Sequence, residues 1–132
     1  MATALYPSLK GRGVFITGGG SGIGAELVRQ FCAQGAQVAF VDIAEGPSQV
    51  LVQEIKQSAP HFFSCDIRDV TALQATIATA QKIIGSIQVL INNAARDDRH
   101  KMEDVTPEYW DECLALNLKH HFFAAQAVAP GM

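Results

Sequence analysis

The segment Val14-Phe-Ile-Thr-Gly-Gly-Gly-Ser-Gly-Ile-Gly24 constrains this chain more than any other. Apolar residues that read as a buried strand run straight into a glycine-packed turn, and a helical pattern opens directly behind it. Glycine has no Cβ, so such a turn reaches φ > 0 and lets a ligand oxygen come against the backbone. The helix behind it aims unpaired N–H groups and the positive end of its dipole at the same spot. The joint is therefore suited to an anionic group such as a phosphate.

The glycine spacing selects among phosphate loops. A nucleoside-triphosphate loop needs Gly-x4-Gly-Lys-Ser/Thr. Gly19 to Gly24 has that spacing, but Ala25 stands where the lysine belongs, and the reading fails. Gly18-x-x-x-Gly22-x-Gly24 remains, and Gly20-x-Gly22-x-x-Ala25 fits the looser dinucleotide fingerprint with alanine in its last place. Ile23, Leu27 and Phe31 form a helical stripe that Gly35 closes at C′. The candidate phosphate contacts are Gly18, Gly20, Ser21, Gly22, Ile23 and Gly24.

A second strand-like run, Gln37-Val-Ala-Phe-Val-Asp42, ends in a carboxylate eighteen residues after Gly24. The dinucleotide motif places an acid about 20 residues on, where it accepts hydrogen bonds from ribose hydroxyls. An Asp ending a strand is also a common turn former. As a ribose ligand, Asp42 also sets the cofactor. A 2′-phosphate about 4 Å from it meets repulsion on the order of 4 kcal/mol per charge pair at an effective dielectric of about 20. A third of that is a factor of about ten in affinity. No Lys or Arg follows in Ile43-Ala44-Glu45-Gly46, so NAD is expected over NADP.

The rest of the chain alternates strand and helix patterns. Strands are expected at 13–17, 37–42, 61–65 and 87–92, and helices at 22–34, about 47–58 with Pro47 in its first turn, and about 69–84. Asp69 caps the third helix, Leu73, Ile77 and Ile84 form its inward stripe, and Gly85 stops it. A last helix opens at Thr106-Pro107-Glu108 and runs through Trp110, Leu114 and Phe122 toward Pro130. Alternation with fully apolar strands means an α/β fold: a parallel sheet covered on both faces, with right-handed crossovers.

At 132 residues the chain is one domain's worth, expected to span 1–132. Its apolar content of 48%, charged content of 17% and net charge of −3 describe an ordinary globular protein. They offer no electrostatic case for nucleic acid or an anionic membrane. The N-terminus lacks a basic region followed by an apolar one, and no apolar run approaches membrane-spanning length. Cys32, Cys65 and Cys113 sit in apolar patterns without metal-ligand spacing and are expected as small hydrophobes in a reducing cytoplasm.

Along essentially its whole length the chain resembles the short-chain dehydrogenase/reductase family. The residues that carry the resemblance are Thr17-Gly-Gly-Gly-Ser-Gly-Ile-Gly24, Asp42, Cys65-Asp66-Ile67, Asn92-Asn-Ala-Ala95 and Asn117-Leu118. The resemblance implies a Rossmann-type three-layer sandwich with about four strands present, ordered 3-2-1-4. It implies that Asp66 bonds the adenine amino group with the Ile67 backbone alongside, and that Asn92, Asn93, Ala94 and Ala95 line the adenosine side of the cleft. The family usually has glycine where Ala95 stands. Asn117 corresponds to a catalytic position that helps hold a proton-relaying water.

A narrower resemblance, to bacterial NAD-dependent D-xylose 1-dehydrogenases, lies in Tyr6-Pro-Ser-Leu-Lys-Gly11, Arg96-Asp-Asp-Arg-His-Lys101, Tyr109-Trp-Asp111 and Gln126-Ala-Val-Ala-Pro-Gly-Met132. It implies oxidation of an aldose at its anomeric carbon to a lactone. Asp97, Arg99 and His100 are then candidate sugar contacts; equally, Asp97, Asp98 and Arg99 fit a solvated loop with a local ion pair, and His100 a structural hydrogen-bond partner. The family's catalytic Ser, Tyr and Lys follow the helix carrying Asn117, whereas Tyr6-Pro-Ser-Leu-Lys10 precedes the first strand and matches the Tyr-x-x-x-Lys spacing by coincidence. Three readings stay open: the N-terminal half of a sugar dehydrogenase, inactive alone and with an exposed fourth-strand edge; a dinucleotide-binding module without catalysis; and a 3-oxoacyl-thioester reductase, against which Asp42 argues. Family members are homo-oligomers, dimers or tetramers, and the chain is expected in the cytoplasm.

Overall fold

The computed structural model describes residues 4–132. Four parallel strands, β1 (Gly13–Thr17), β2 (Gln37–Asp42), β3 (His61–Ser64) and β4 (Ile87–Ile91), form one sheet in the order β3-β2-β1-β4. The crossovers are α1 (Gly22–Ala33), α2 (Glu45–Glu54) and α3 (Val70–Ile84), and α4 (Pro107–Leu114) and α5 (His120–Val128) come after β4. The expected fold class and strand order hold. Among the described residues, no helix is long and apolar enough to cross a membrane.

Period-two alternation sorts the strand residues into two cores. Val14 and Ile16 of β1, with Val38 and Phe40 of β2, face α1 and α2 and meet Ala25, Val28, Cys32 and Leu51. Phe15, Ala39 and Val41 point the other way, onto Leu73, Ile77 and Ala80 of α3 and Ala124 and Val128 of α5. With both faces covered, β1 is buried at every position, which is why it reads as an unbroken apolar run. Each fully buried Phe or Ile in these layers contributes about 1.5–3 kcal/mol relative to exposure. The same burial pushes the Cys32 thiol up to about 11.

Helix signals behaved unevenly. Asp69 caps α3 as expected, its Oδ1 accepting from the Ala72 amide at 2.9 Å, and Gly85 ends that helix at φ 81°. Thr106 caps α4 in the same way through the Tyr109 amide. The α1 stripe is a correction: its buried face is Gly24, Ala25, Val28 and Cys32, while Ile23 is 77% exposed and Leu27 and Phe31 pack only at the margin. Small residues face the sheet because the turn brings the helix too close for larger ones: a Cβ on Gly24 would run into the Gly18 carbonyl.

Four bounds also shift. Helix α2 starts at Glu45, two residues before Pro47, and stops at Glu54, where the chain turns toward Ser58 at φ 54°. Strands β3 and β4 each end one residue earlier than expected. The last helix is not one α-helix, because a π segment (Ala115–Lys119) separates α4 from α5. Trp110, Leu114 and Phe122 are exposed, and α5 buries His120, Ala124 and Val128.

Candidate dinucleotide cleft

A cleft of about 450 Å³ opens at the carboxyl ends of β1, β2, β3 and β4. This is where strand order reverses between β1 and β4, the usual ligand position in an open parallel sheet. Its phosphate side is the β1–α1 turn, contributing Gly18, Ser21, Ile23 and Gly24. Ser21 is the N-cap of α1, yet its side chain bonds none of the helix amides, and no acid lies in the first turn. Helix bonding begins with the Ala25 amide on the Ser21 carbonyl at 3.1 Å. The amides of Gly22, Ile23 and Gly24 thus precede it and remain for an anion. Gly22 itself sits at φ 55°, and a Cβ there would meet nothing, so the backbone is open to an approaching group.

At the end of β2 lie Val41, Asp42 and Ile43. The Asp42 carboxylate accepts from the Gly20 amide through Oδ2 and from the Ala44 amide through Oδ1, both at 2.9 Å. Each oxygen keeps a further lone pair for a hydroxyl donor. Gly20 is absent from the cleft wall: its amide aims Asp42, and a Cβ would strike Ser48 and that carboxylate. Gly22 likewise lies outside the wall.

Beyond β3 come Cys65, Asp66, Ile67 and Arg68. Asp66 is already engaged. Arg68 donates to it from Nε (3.0 and 3.1 Å), Nη2 (2.6 Å) and its own backbone amide (3.0 Å). These bonds hold the carboxyl below its ordinary range, with the guanidinium as the first cause. Arg68 also reaches Glu112 of α4 at 2.7 Å, and Glu112 accepts from Arg96 at 3.2 Å, so an ion-pair chain crosses the rim of the cleft. All of these groups are substantially exposed, and each such pair is worth about 0–1 kcal/mol. Burial pushes the Cys65 thiol upward.

On the β4 side the wall is Asn93, Ala94, Ala95 and Arg96, with Leu116 from the π segment. Of the expected run Asn92 to Ala95, Asn92 alone lies outside the wall. A one-residue step along a strand end reverses the side chain. Asn92 turns to α5, donating to the His121 carbonyl at 3.4 Å, and its Oδ1 is buried without a partner. Asn93 donates to the carbonyls of Thr17 (3.1 Å) and Gly18 (3.0 Å), and so clamps the glycine turn. The amides of Asn93 and Ala94 both donate to Thr17 Oγ1 at 3.0 Å.

Asn117 lies outside the cleft wall. Its side chain holds the loop after β4 at two points, accepting from the Arg96 amide (2.8 Å) and donating to the Arg96 carbonyl (3.1 Å). Asp97, Arg99 and His100 are also outside the wall. Asp97 and Arg99 form an ion pair at 3.8 Å while both stay almost fully exposed, and the His100 ring packs on Tyr109 at 4.0 Å between centroids. Sequence reasoning named neither Val41, Arg68 nor Leu116 as site residues. Among the described residues no group of three or more potential metal ligands comes together.

The glycine cradle, the free α1 amides and the ligated carboxylate at the end of β2 define a dinucleotide cleft of the parallel α/β class. The chain belongs to the short-chain dehydrogenase family, whose family model matches residues 12–132. It is 52% identical over 135 residues to a Rhizobium meliloti protein named probable galactose dehydrogenase, covering all of this chain and 53% of that protein. It is also 52% identical over 134 residues to a D-xylose 1-dehydrogenase of Caulobacter vibrioides, covering all of this chain and 52% of the relative. Among solved structures, a Serratia marcescens short-chain dehydrogenase/reductase superposes with a TM-score of 0.91 at 29% identity, over 96% of this chain and 53% of that one. A blue fluorescent protein from a metagenomic library, in complex with NADPH, gives 0.88 at 30% identity, over 94% and 52%. The chain spans about half the length of the curated relatives it matches.

Proposed function

We propose that these residues form the dinucleotide-binding half of an NAD-dependent sugar dehydrogenase that oxidises an aldose such as D-xylose at its anomeric carbon. The observation that carries the reading is Asp42: a carboxylate fixed by two amides at the end of β2, across from the free N-terminus of α1. It can accept from ribose hydroxyls, whereas a 2′-phosphate there meets like charge. Gly22 to Gly24 would take the pyrophosphate, and Ile43, Cys65 and Ile67 would border the adenine. Asp66 would receive the adenine amino group once Arg68 shares or yields it, and Ala94 and Ala95 would back the adenosine. Bound NAD supplies a hydride acceptor.

Asn117 is proposed as the chain's catalytic-helix residue, and here it acts by holding Arg96 and the loop after β4. The substrate reading rests on two relatives at 52% identity that are named for galactose and D-xylose. A lactone product, a homo-oligomeric enzyme and a cytoplasmic location belong to the same proposal. The alternative is a 3-oxoacyl-thioester reductase.

The test is an aldose panel with NAD and NADP, using the longer protein that carries these residues, with the lactone followed by mass. Pentose or hexose oxidation with NAD is expected. Activity confined to acyl thioesters with NADPH would refute the sugar reading. Dinucleotide binding without turnover on either panel would favour a non-catalytic module.

A further inference from the structure

We propose that His120 is a positioning residue for the cleft: as a neutral imidazole it accepts the hydrogen bond donated by the Thr17 hydroxyl and so leaves both Thr17 lone pairs to the Asn93 and Ala94 amides. The argument is a count of donors and acceptors around one buried oxygen. Thr17 and His120 are both fully buried. A threonine hydroxyl has one proton and two lone pairs. Both lone pairs are used, because the Asn93 and Ala94 amides sit at 3.0 Å and can only donate. The third neighbour is His120 Nε2 at 3.3 Å. It must therefore be the acceptor.

The other ring nitrogen agrees. His120 Nδ1 lies 2.8 Å from the Leu116 carbonyl, which can only accept, so Nδ1 carries the proton. The imidazole is thus the Nδ1–H tautomer with its Nε2 lone pair on Thr17. The set closes with no donor or acceptor left over, and it ties α5 and the π segment to the ends of β1 and β4. Such a satisfied buried network specifies a single arrangement.

A second proton has no place in this set. An imidazolium would aim Nε2–H at an oxygen whose lone pairs are filled. The hydroxyl would have to turn, and either the Asn93 or the Ala94 amide would lose its acceptor. Asn93 also holds the Thr17 and Gly18 carbonyls, so the change would reach the glycine turn. Burial opposes the charge, and His121, whose ring stands edge-on at 4.3 Å, adds to that opposition. His121 is on the same helix. Thr17 on β1, Asn93 and Ala94 after β4, and Leu116 in the π segment present no charge to the ring.

The test reads the imidazole directly, by long-range proton–nitrogen NMR of the nitrogen-labelled protein between pH 5 and 8. His120 is expected as the neutral Nδ1–H tautomer across the upper part of that range. Its titration is expected below the ordinary imidazole range, with the Asn93 and Ala94 amide signals moving in step with it. His120→Leu should speed hydrogen exchange at those two amides about tenfold and remove their pH response. His120→Gln, which offers a carbonyl oxygen near the position of Nε2, should restore slow exchange without the pH response. An Nε2–H tautomer, amides that ignore the titration, or a Leu variant that exchanges like wild type would overturn the proposal.

A cofactor arm rests on the dinucleotide reading. NAD affinity in the wild type should fall about tenfold as His120 protonates, and in His120→Gln it should stay level. Absence of NAD binding at every pH counts against that reading, and the NMR arm then decides the role of His120 alone.

Discussion

Replacing Thr17 with valine removes one oxygen and almost nothing else. The residue is fully buried, so the shape is retained while the Asn93 and Ala94 amides lose the acceptor each holds at 3.0 Å. A buried donor stranded this way costs about 1–3 kcal/mol. Both amides are only partly buried, which places the pair nearer the low end, at about 2–4 kcal/mol. Against a typical total of about 5–15 kcal/mol this is a large fraction. For a domain of this size it lowers the melting temperature by roughly 8–16 °C.

Thr17→Ser is the control. It keeps the hydroxyl and loses only a methyl group, at about 1 kcal/mol. Urea unfolding followed by circular dichroism, with equal slopes for all three proteins, gives the order directly. Wild type, then Ser, then Val is expected. A Val variant as stable as the Ser variant would show that the two amides find another acceptor, and the oxygen-centred account of the cleft would fall.

Three further outcomes are expected. Asp42→Ala should narrow the preference for NAD over NADP by about tenfold in the ratio of dissociation constants; an unchanged ratio would remove Asp42 from the ribose. Asp69→Ala should cost about 1 kcal/mol in urea unfolding through loss of the α3 cap, and a change below a few tenths would mean that water serves the Ala72 amide equally well. The Asp66 carboxyl is held below its ordinary value by Arg68. Its contribution to stability is therefore present above about pH 4. It is lost as pH falls through the lower, folded-state value. Arg68→Ala should flatten the pH dependence of stability below about pH 4, and a profile parallel to wild type would place that acid limb elsewhere.

Short-range physics made much of the fold readable. The β1–α1 turn, the Asp69 and Thr106 caps, the Gly85 stop and the two-face burial of β1 and β2 each depend on neighbours within a few residues. Those features sufficed for a parallel α/β sheet and for the place of its cleft. Local pattern failed where a long-range approach decides which side of an element faces inward. Ile23, Leu27 and Phe31 make a respectable apolar stripe, yet the nearness of Gly24 to the Gly18 carbonyl turns α1 onto smaller residues.

The cleft divides along the same line. Glycines and Asp42 announce themselves by type and spacing, because a phosphate cradle and a ribose acceptor demand particular residues at particular intervals. The choice of Asn93 over Asn92 depends on where β4 ends, and the hold of Arg68 on Asp66 depends on a side-chain conformation. Neither is written in periodicity. His120 lay in a run, Lys119-His-His-Phe122, that gives no sign of burial. Its partner Thr17 is 103 residues earlier. Sequence alone determined that a strand, a glycine turn and a carboxylate would meet at a dinucleotide cleft. Only the tertiary structure could decide which buried groups hold that cleft in shape, because hydrogen bonds between distant segments exist only after the sheet order and the π segment have brought those segments together.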